Sequence, residues 1–430
     1  MGEDSKEKSP LVPRLRFPEF RGAGDWVEMS LGEIGEIVTG KTPSTSDDSL
    51  WNGDIQFVTP TDISEEKYQW STQRSVAINA NTKVLPLHST MFTCIASIGK
   101  MALSVKPCIT NQQINTVIPN KDYENEFVYY SLLNIVPLIK GTQANSTLPI
   151  INKTEFSKFT IPVPRVHDEQ QKIADCLSSL DELIAAETQK LDALKTHKKG
   201  LMYQLFPRAG ETVPRLRFPE FREAGEWESV PMGSLLARNP EYGVNAPASP
   251  FSEDRPTYLR ITDIDEDGRF LSASKVSVDI VATDDNYLEP GDIVLARTGA
   301  SVGKSYRYRK EDGRLVFAGF LIRIRPEPKK IDPIFLANFL TTQQYWDWVG
   351  VTSARSGQPG INGTEYSSLP VPVPSLAEDD KRLSEQRRIA ECLSSLDDLI
   401  TAQSQKIGAL KAHKKGLMQQ LFPVLDEATA

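Results

Sequence analysis

From Ile173 onward, apolar residues recur at alternating steps of four and three: Ile173, Leu177, Leu180, Ile184, then Leu191, Leu194, Leu201 and Leu205. Glu187 and Lys198 occupy the two remaining seam positions. The pattern returns as Ile389, Leu393, Leu396, Ile400, Ile407, Leu410, Leu417 and Leu421, with Gln403 and Lys414 in the equivalent gaps. This is the period of a coiled-coil seam. For one such stripe the commoner case is the inner face of a helix lying on a globular core, but five heptads, present twice, favour helix packed on helix. Proline-rich segments precede both stretches (Ile161-Pro-Val-Pro164 and Leu369-Pro-Val-Pro-Val-Pro374), and Phe206-Pro207 and Phe422-Pro423 follow them, so the helical spans are sharply bounded. A helix of about 38 residues is about 57 Å long. Antiparallel pairing lets the segment between the helices sit where the first ends and the second begins, whereas parallel pairing would force it to span the rod. The expected fold class is α+β: two pseudo-symmetric α/β modules (11–164 and 211–374) separated by two long helices (165–210 and 375–425) paired as an antiparallel coiled coil. The expected object is a dumbbell with a pseudo-twofold axis.

The duplication extends beyond the seam. Val12-Pro-Arg-Leu-Arg-Phe-Pro-Glu-Phe-Arg21 is repeated unchanged at Val213–Arg222, and Lys172–Phe206 returns at Arg388–Phe422 with 25 of 35 positions identical. Between these near-copies lie two stretches that share a framework and differ in most residues. Each opens toward a tryptophan (Asp25-Trp26, Glu226-Trp227) and continues in short strand-like runs. Ile55–Ile63 matches Thr257–Ile264 through Thr-Asp-Ile, Met91–Lys100 (MFTCIASIGK) matches Leu295–Lys304 (LARTGASVGK), and Ala144–Asn152 matches Ala354–Asn362. A scaffold held constant around divergent polar loops is the arrangement of a pair of unlike readers.

Composition changes this picture little. At 430 residues with 39% hydrophobic and 25% charged content the chain is of ordinary globular type, and no apolar run approaches the roughly 20 residues of a membrane span. The polar start, Met-Gly-Glu-Asp-Ser-Lys, has no apolar signal core, so a cytoplasmic location is expected. Cys94, Cys108, Cys176 and Cys392 form no CxxC pair and read as structural thiols. The four histidines, His88, His167, His197 and His413, show no metal spacing. Asp292–Ser305 imitates a strand entering a phosphate loop, but its GxxxGKS is one residue short and the first copy has Ile95 in place of Gly299. Asn239-Pro-Glu-Tyr242 imitates an amino-methyltransferase box with the wrong third residue and no glycine-rich cofactor loop.

A net charge of −8 does not by itself suggest nucleic acid, since phosphate contact depends on local potential. Locally, Arg297–Arg325 holds eight basic residues against Glu311 and Asp312, a net of +6, and Tyr306-Arg-Tyr-Arg309 alternates aromatic and guanidinium. Arginine forks suit phosphate and the guanine edge, and amides suit adenine. Candidate DNA contacts are therefore Lys41, Thr59, Lys100, Gln112, Gln143 and Asn145 in module one, with Asn111 and Gln113 beside them. In module two they are Arg260, Arg297, Lys304, Arg307, Arg355 and Gln358. Candidate spacer and docking positions are Leu177, Leu180, Ile184, Leu191, Leu194, Leu393, Leu396, Ile400, Ile407 and Leu410. The basic clusters Lys195, His197, Lys198, Lys199 and Lys411, His413, Lys414, Lys415 either touch phosphate or solvate the rod. Gly200 and Gly416 reflect either a close backbone approach or tolerated imperfection.

A duplicated module, each copy followed by a long helix that begins near Glu169-Gln170 or Glu385-Gln386 and closes on Lys-Lys-Gly-Leu-Met-x-Gln-Leu-Phe, resembles the DNA-specificity subunit of type I restriction-modification systems. The similarity spans Val12 to Phe422. It implies that the modules are target recognition domains, one for each half of a split site in double-stranded DNA. It implies that the paired helices act as spacer and docking surface for two methyltransferase subunits, with restriction/translocase subunits joining the full enzyme. It also implies a chain with no active site, cofactor or metal of its own, S-adenosylmethionine lying in the methyltransferase partner and ATP with Mg in the restriction partner. Two unlike readers on a pseudo-dyad should recognise an asymmetric bipartite target, its halves about one helical turn, roughly 34 Å, apart. Loss of the Arg297 or Arg355 side chain should then alter the module-two half alone. A self-sufficient methyltransferase would need a cofactor loop that the sequence lacks, and a purely protein-binding adaptor would leave the divergence of the modules unexplained.

Overall fold

The computed structural model describes residues 11–78, 83–142, 149–354, 357–374 and 379–424. The chain divides into two compact units, Met1–Gln189 with Gln405–Ala430, and Lys190–Ser404. Each unit therefore holds one module together with half of each long helix.

In the first unit, Gly35–Thr39, Ile114–Pro119, Thr90–Thr93, Met101–Ser104 and Tyr68–Gln69 lie side by side in that order as a five-stranded sheet. A second sheet orders Arg74–Val76, Trp51–Val58 and Cys108–Thr110. The central strands Thr90–Thr93 and Met101–Ser104 are buried on both faces, which is why they read as unbroken runs without alternation. The helix Asn125–Thr142 buries Phe127, Tyr130, Leu132 and Ile139 against this sheet.

The second unit repeats the plan. One sheet orders Glu241–Tyr242, Leu321–Ile324, Ile293–Ala296 and Ser305–Arg307, and the other orders Ala248–Ser249, Val276–Val278, Thr257–Leu259 and Leu315–Phe317. The helices Pro333–Phe339 and Gln343–Thr352 cover it, burying Phe335, Leu336, Phe339 and Tyr345.

A two-stranded antiparallel ribbon closes each module: Val27–Ser30 with Thr160–Val163, and Trp227–Pro231 with Pro370–Pro374. The proline-rich segments before the helices are thus strands as well as helix stops. Prolines at 370, 372 and 374 recur at every second position, where an antiparallel strand turns its amides away from the partner, so the ladder survives.

The long helices are His167–Leu205 and Asp379–Leu421. In the first unit Asp181 accepts from Lys414 Nζ at 2.6 Å, and Glu187 accepts from Lys406. In the second unit Lys198 donates to both oxygens of Asp397 at 2.7 and 2.8 Å. Within each unit the early part of one helix thus lies beside the late part of the other, an antiparallel pairing. Lys198 with Asp397 and Lys414 with Asp181 are the same bond made by equivalent residues of the two copies. The polar seam positions Glu187, Lys198 and Lys414 are filled by interhelical partners, and the lysine clusters are partly neutralised, Lys195 also pairing with Asp267.

The seam itself divides into two regimes. Ile173, Ala174 and Leu177 belong to the core of module one, together with Met418, Leu421 and Phe422. Met202, Leu205 and Phe206 join Ile389, Ala390 and Leu393 in the core of module two. The helix ends therefore lie on globular cores. The middle of each helix is the paired seam, where Ile400, Gln403 and Ile407 are buried and Leu180, Ile184, Leu191, Leu194, Leu396 and Leu410 are half-buried.

The repeated decapeptide fastens these ends. Arg16 gives both fork arms to Glu169 at 2.7 Å, and Arg217 does the same to Glu385. Leu15 and Leu216 donate their amides to Gln420 and Gln204, at the late end of the opposite helix. Trp26 packs edge-on to Phe127 and Phe422, and Trp227 against Phe206 and Phe335. Among the described residues no helix is long and apolar enough to cross a membrane, and no cluster of metal-ligating side chains occurs.

Candidate nucleic-acid interface

The two modules build one loop frame and furnish it differently. In module one the strand Gly35–Thr39 runs out through Gly40, where an added Cβ would strike the Thr110 and Asn111 carbonyls. In module two Glu241–Tyr242 runs out through Gly243, where a Cβ would strike those of Phe317 and Ala318. The next amides, of Lys41 and Val244, bond to the Thr110 and Phe317 carbonyls at 2.8 Å. Cys94 donates to the Gln113 carbonyl as Arg297 does to that of Phe320, and Ile151 and Ile361 return the bond to Cys94 and Arg297. The Ile-Asn elements end this frame as helix caps: Asn152 with Glu155 and Asn362 with Glu365 each form a reciprocal capping box.

Corresponding positions are therefore Thr39 and Tyr242, Lys41 and Val244, Asn111 and Ala318, Gln112 and Gly319, Gln113 and Phe320, Cys94 and Arg297. This corrects the alignment read from the sequence. Gly99 and Gly303 donate to Thr93 and Ala296, so the loop between is one residue longer in module two. Ala96 at φ 60°, not Ile95, stands in the place of Gly299 at φ 75°.

Module one furnishes the frame with amides. Thr42 donates to Gln112 Oε1 at 2.6 Å, and Asn111 and Gln113 bond side chain to side chain at 3.0 Å. Behind them Thr39 donates to Asn115, whose amide reaches Cys94 Sγ at 3.1 Å. Lys41 and Gln112 project into solvent together on this frame, and Lys100 is exposed one loop away. Thr59 is engaged locally, its backbone and hydroxyl both donating to Asp62. Gln143 and Asn145 lie outside the described residues.

Module two furnishes the same frame with an arginine and aromatic rings. The Arg297 guanidinium lies 4.7 Å from the centroid of the half-exposed Tyr242 ring, and the Tyr242 hydroxyl accepts from the Gly363 amide. Phe320 is 61% exposed beside it, and the exposed Gln358 amide lies where a Cβ on Gly299 would point. Arg297 and Gln358 are thus brought together. Arg355 lies outside the described residues.

The remaining basic candidates are placed otherwise. Arg260 gives its fork to the buried Asp263, so the shared Thr-Asp-Ile is a turn in which Asp62 or Asp263 caps the residue three before it. Lys304 pairs with Glu266 at 3.0 Å. Arg307 faces the second long helix across a polar cavity of about 340 Å³ that it lines with Arg309, Ser394, Asp397 and Thr401. Burial draws its guanidinium below the ordinary value and repulsion by Arg309 adds to this. Of the basic segment, Arg314 pairs with Asp284, Arg323 with Glu241 and Asp292, and Arg325 with Asp292 and Glu289. The net +6 read along the chain is therefore largely cancelled by acids distant in sequence. Of the residues that complete the cluster, Phe320 carries no signal in the sequence, and Tyr242 stands out there only as the end of the Asn-Pro-Glu-Tyr imitation of a methyltransferase box. The glycine that follows Thr39 and Tyr242 in both copies is the signal that aligns them.

A two-module chain with a duplicated helical pair and unlike side chains on one loop frame defines a class of paired recognition proteins, and comparison with known proteins gives the family. The sequence model of the Type I restriction modification DNA specificity domain matches residues 23–196 and 248–412, and the chain belongs to that family. It is 24% identical over 421 residues to the type I restriction enzyme MjaVIII specificity subunit of Methanocaldococcus jannaschii, covering 95% of this chain and 93% of the relative. It is 23% identical over 410 residues to the EcoDI specificity subunit of Escherichia coli, covering 87% and 83%. Its fold is that of the S subunit of a type I restriction-modification system from M. genitalium, with a TM-score of 0.60, 15% identity and coverage of 97% of this chain and all of the other. A second solved structure, described as the basis of complex assembly and conformational transition of the type I R-M system, matches with a TM-score of 0.54 over 93% of this chain and 97% of the other, at 16% identity. The chain is thus a type I specificity subunit with DNA-recognition domains. It is a non-catalytic component that works with DNA and with the other subunits of such a system.

Proposed function

We propose that each module reads one half of an asymmetric, bipartite site in double-stranded DNA, with an unread gap of fixed length between the halves. The paired helices dock two methyltransferase subunits and, in the full enzyme, restriction/translocase subunits. The observation that supports this is the common loop frame carrying amides and Lys41 in one module and Arg297, Tyr242 and Phe320 in the other. A duplicated scaffold that served only protein contacts would have no reason to diverge at those positions. S-adenosylmethionine would be held by the methyltransferase partner, and ATP with Mg by the restriction partner, in the cytoplasm. Within this chain Lys41, Gln112, Arg297 and Gln358 are the side chains best placed to meet the duplex. Lys100 is exposed nearby, and Thr59 and Arg260 would serve as the turns behind.

The test is an exchange of modules. Replacing residues 211–374 with the corresponding segment of a relative of known target should change one half of the modified motif and leave the other half and the gap intact. A change in both halves would refute the division of labour.

A further inference from the structure

Arg297 differs from Arg314, Arg323 and Arg325 of its segment in what holds it. Its backbone is fixed on both sides, donating to Phe320 at 3.1 Å and accepting from Ile361 at 2.9 Å. Its guanidinium lies on the face of Tyr242, whose hydroxyl is in turn fixed by the Gly363 amide at 3.1 Å. Among the described residues it makes no side-chain hydrogen bond and no ion pair, and its Nε is buried without an acceptor. Arg260, Arg314, Arg323 and Arg325 all face carboxylates.

A phosphate contact needs only a mobile cation, and a solvent-exposed side chain serves. A planar fork stacked on a fixed ring, oriented before any ligand arrives, suits a planar partner that offers two acceptors side by side. In duplex DNA that partner is the major-groove edge of guanine, with O6 and N7. The equivalent position in module one is Cys94, buried and bonded to Asn115, which offers no such fork.

We propose that the half-site read by module two contains a guanine recognised by the Arg297 fork, and that Tyr242 is its positioning residue. The proposal rests on the bipartite reading given above.

The experiment uses the full chain assembled with its methyltransferase partner. The modified motif is mapped by long-read sequencing for the natural chain and for Arg297→Ala, Arg297→Lys and Tyr242→Leu. Duplex binding is then measured with each guanine of the module-two half replaced in turn by 7-deazaguanine, which lacks the N7 acceptor. The natural chain should lose about 5- to 150-fold in affinity at one guanine. Arg297→Ala should be indifferent to that replacement and should methylate a motif degenerate at that position alone. Arg297→Lys, which keeps the charge and a donor for the guanine edge but loses the rigid fork, should retain only part of the discrimination at that position. Tyr242→Leu should narrow the discrimination at the same position without altering the module-one half, a result that mere loss of stability would not give.

A bipartite motif with no guanine in the module-two half, or a uniform loss of affinity across all sequences in Arg297→Ala, would overturn the proposal while leaving bipartite reading intact. Absence of any bipartite motif would instead overturn the reading beneath it. The deazaguanine series on the natural chain decides the matter even if a variant fails to fold.

Discussion

Glu169 and Glu385 occupy equivalent turns of the two long helices, each about 1% exposed, and each takes both arms of an arginine from the repeated decapeptide. Removing one partner of such a pair leaves a charge buried without compensation. Arg217→Ala should therefore cost about 3–5 kcal/mol, seen as a lower unfolding temperature of the full chain. A loss within the scatter of surface substitutions would mean that Glu385 finds another donor.

Burial pushes the Cys94 thiol up to about 11 and the Cys108 thiol up to about 12. Both should resist alkylation in the native chain at pH 8 and react only on unfolding, as read by mass spectrometry. Because the folded state favours the neutral thiol, this contribution to stability is complete below the ordinary value of 9.0 and is lost as pH climbs toward 11 and 12. At this scale the sequence was legible for what local chemistry decides and opaque for what distant residues decide. The basic run from Arg297 to Arg325 reads as a phosphate surface because Glu241, Asp284 and Glu289, which neutralise much of it, lie outside that stretch of sequence. Arg260 looked available because nothing in the tripeptide Thr-Asp-Ile announces that its aspartate turns back to cap the residue three before.

The long helices were the most legible elements, since a 3.5-residue period is a direct consequence of helix on helix. What periodicity could not show is where the partner changes. Leu177 and Leu393 continue the seam in sequence but lie in module cores, because apolar spacing is the same whichever surface covers it. The equivalent bonds of Lys198 to Asp397 and Lys414 to Asp181 are what give the direction of pairing. Gly200 and Gly416 fall outside any such constraint: a Cβ at either would meet nothing within 4 Å. With no close approach by the neighbouring helix to preserve, Gly200→Ala and Gly416→Ala should each stabilise the chain by about 0.5–1 kcal/mol, measurable as a raised unfolding midpoint. If either instead weakened assembly with the methyltransferase subunit while the isolated chain gained stability, the glycine would belong to an intersubunit contact.

For the whole molecule the informative relation is likeness of frame set against unlikeness of furnishing. Gly40 and Gly243, Asn152 and Asn362, Glu169 and Glu385 keep two modules on one plan, while Cys94 and Arg297, Gln113 and Phe320 separate their chemistry. Much of that plan was visible in the repeats. The added residue between Ala296 and Gly303 was not, since the shared Gly-Lys permits an ungapped alignment that sets Thr93 opposite Arg297. Mapping modified adenines by long-read sequencing in a host with and without this chain tests the account most directly. It should reveal a motif of two different half-sites with a constant unread gap, absent when the chain is removed. A continuous palindrome would contradict two unlike readers in one polypeptide.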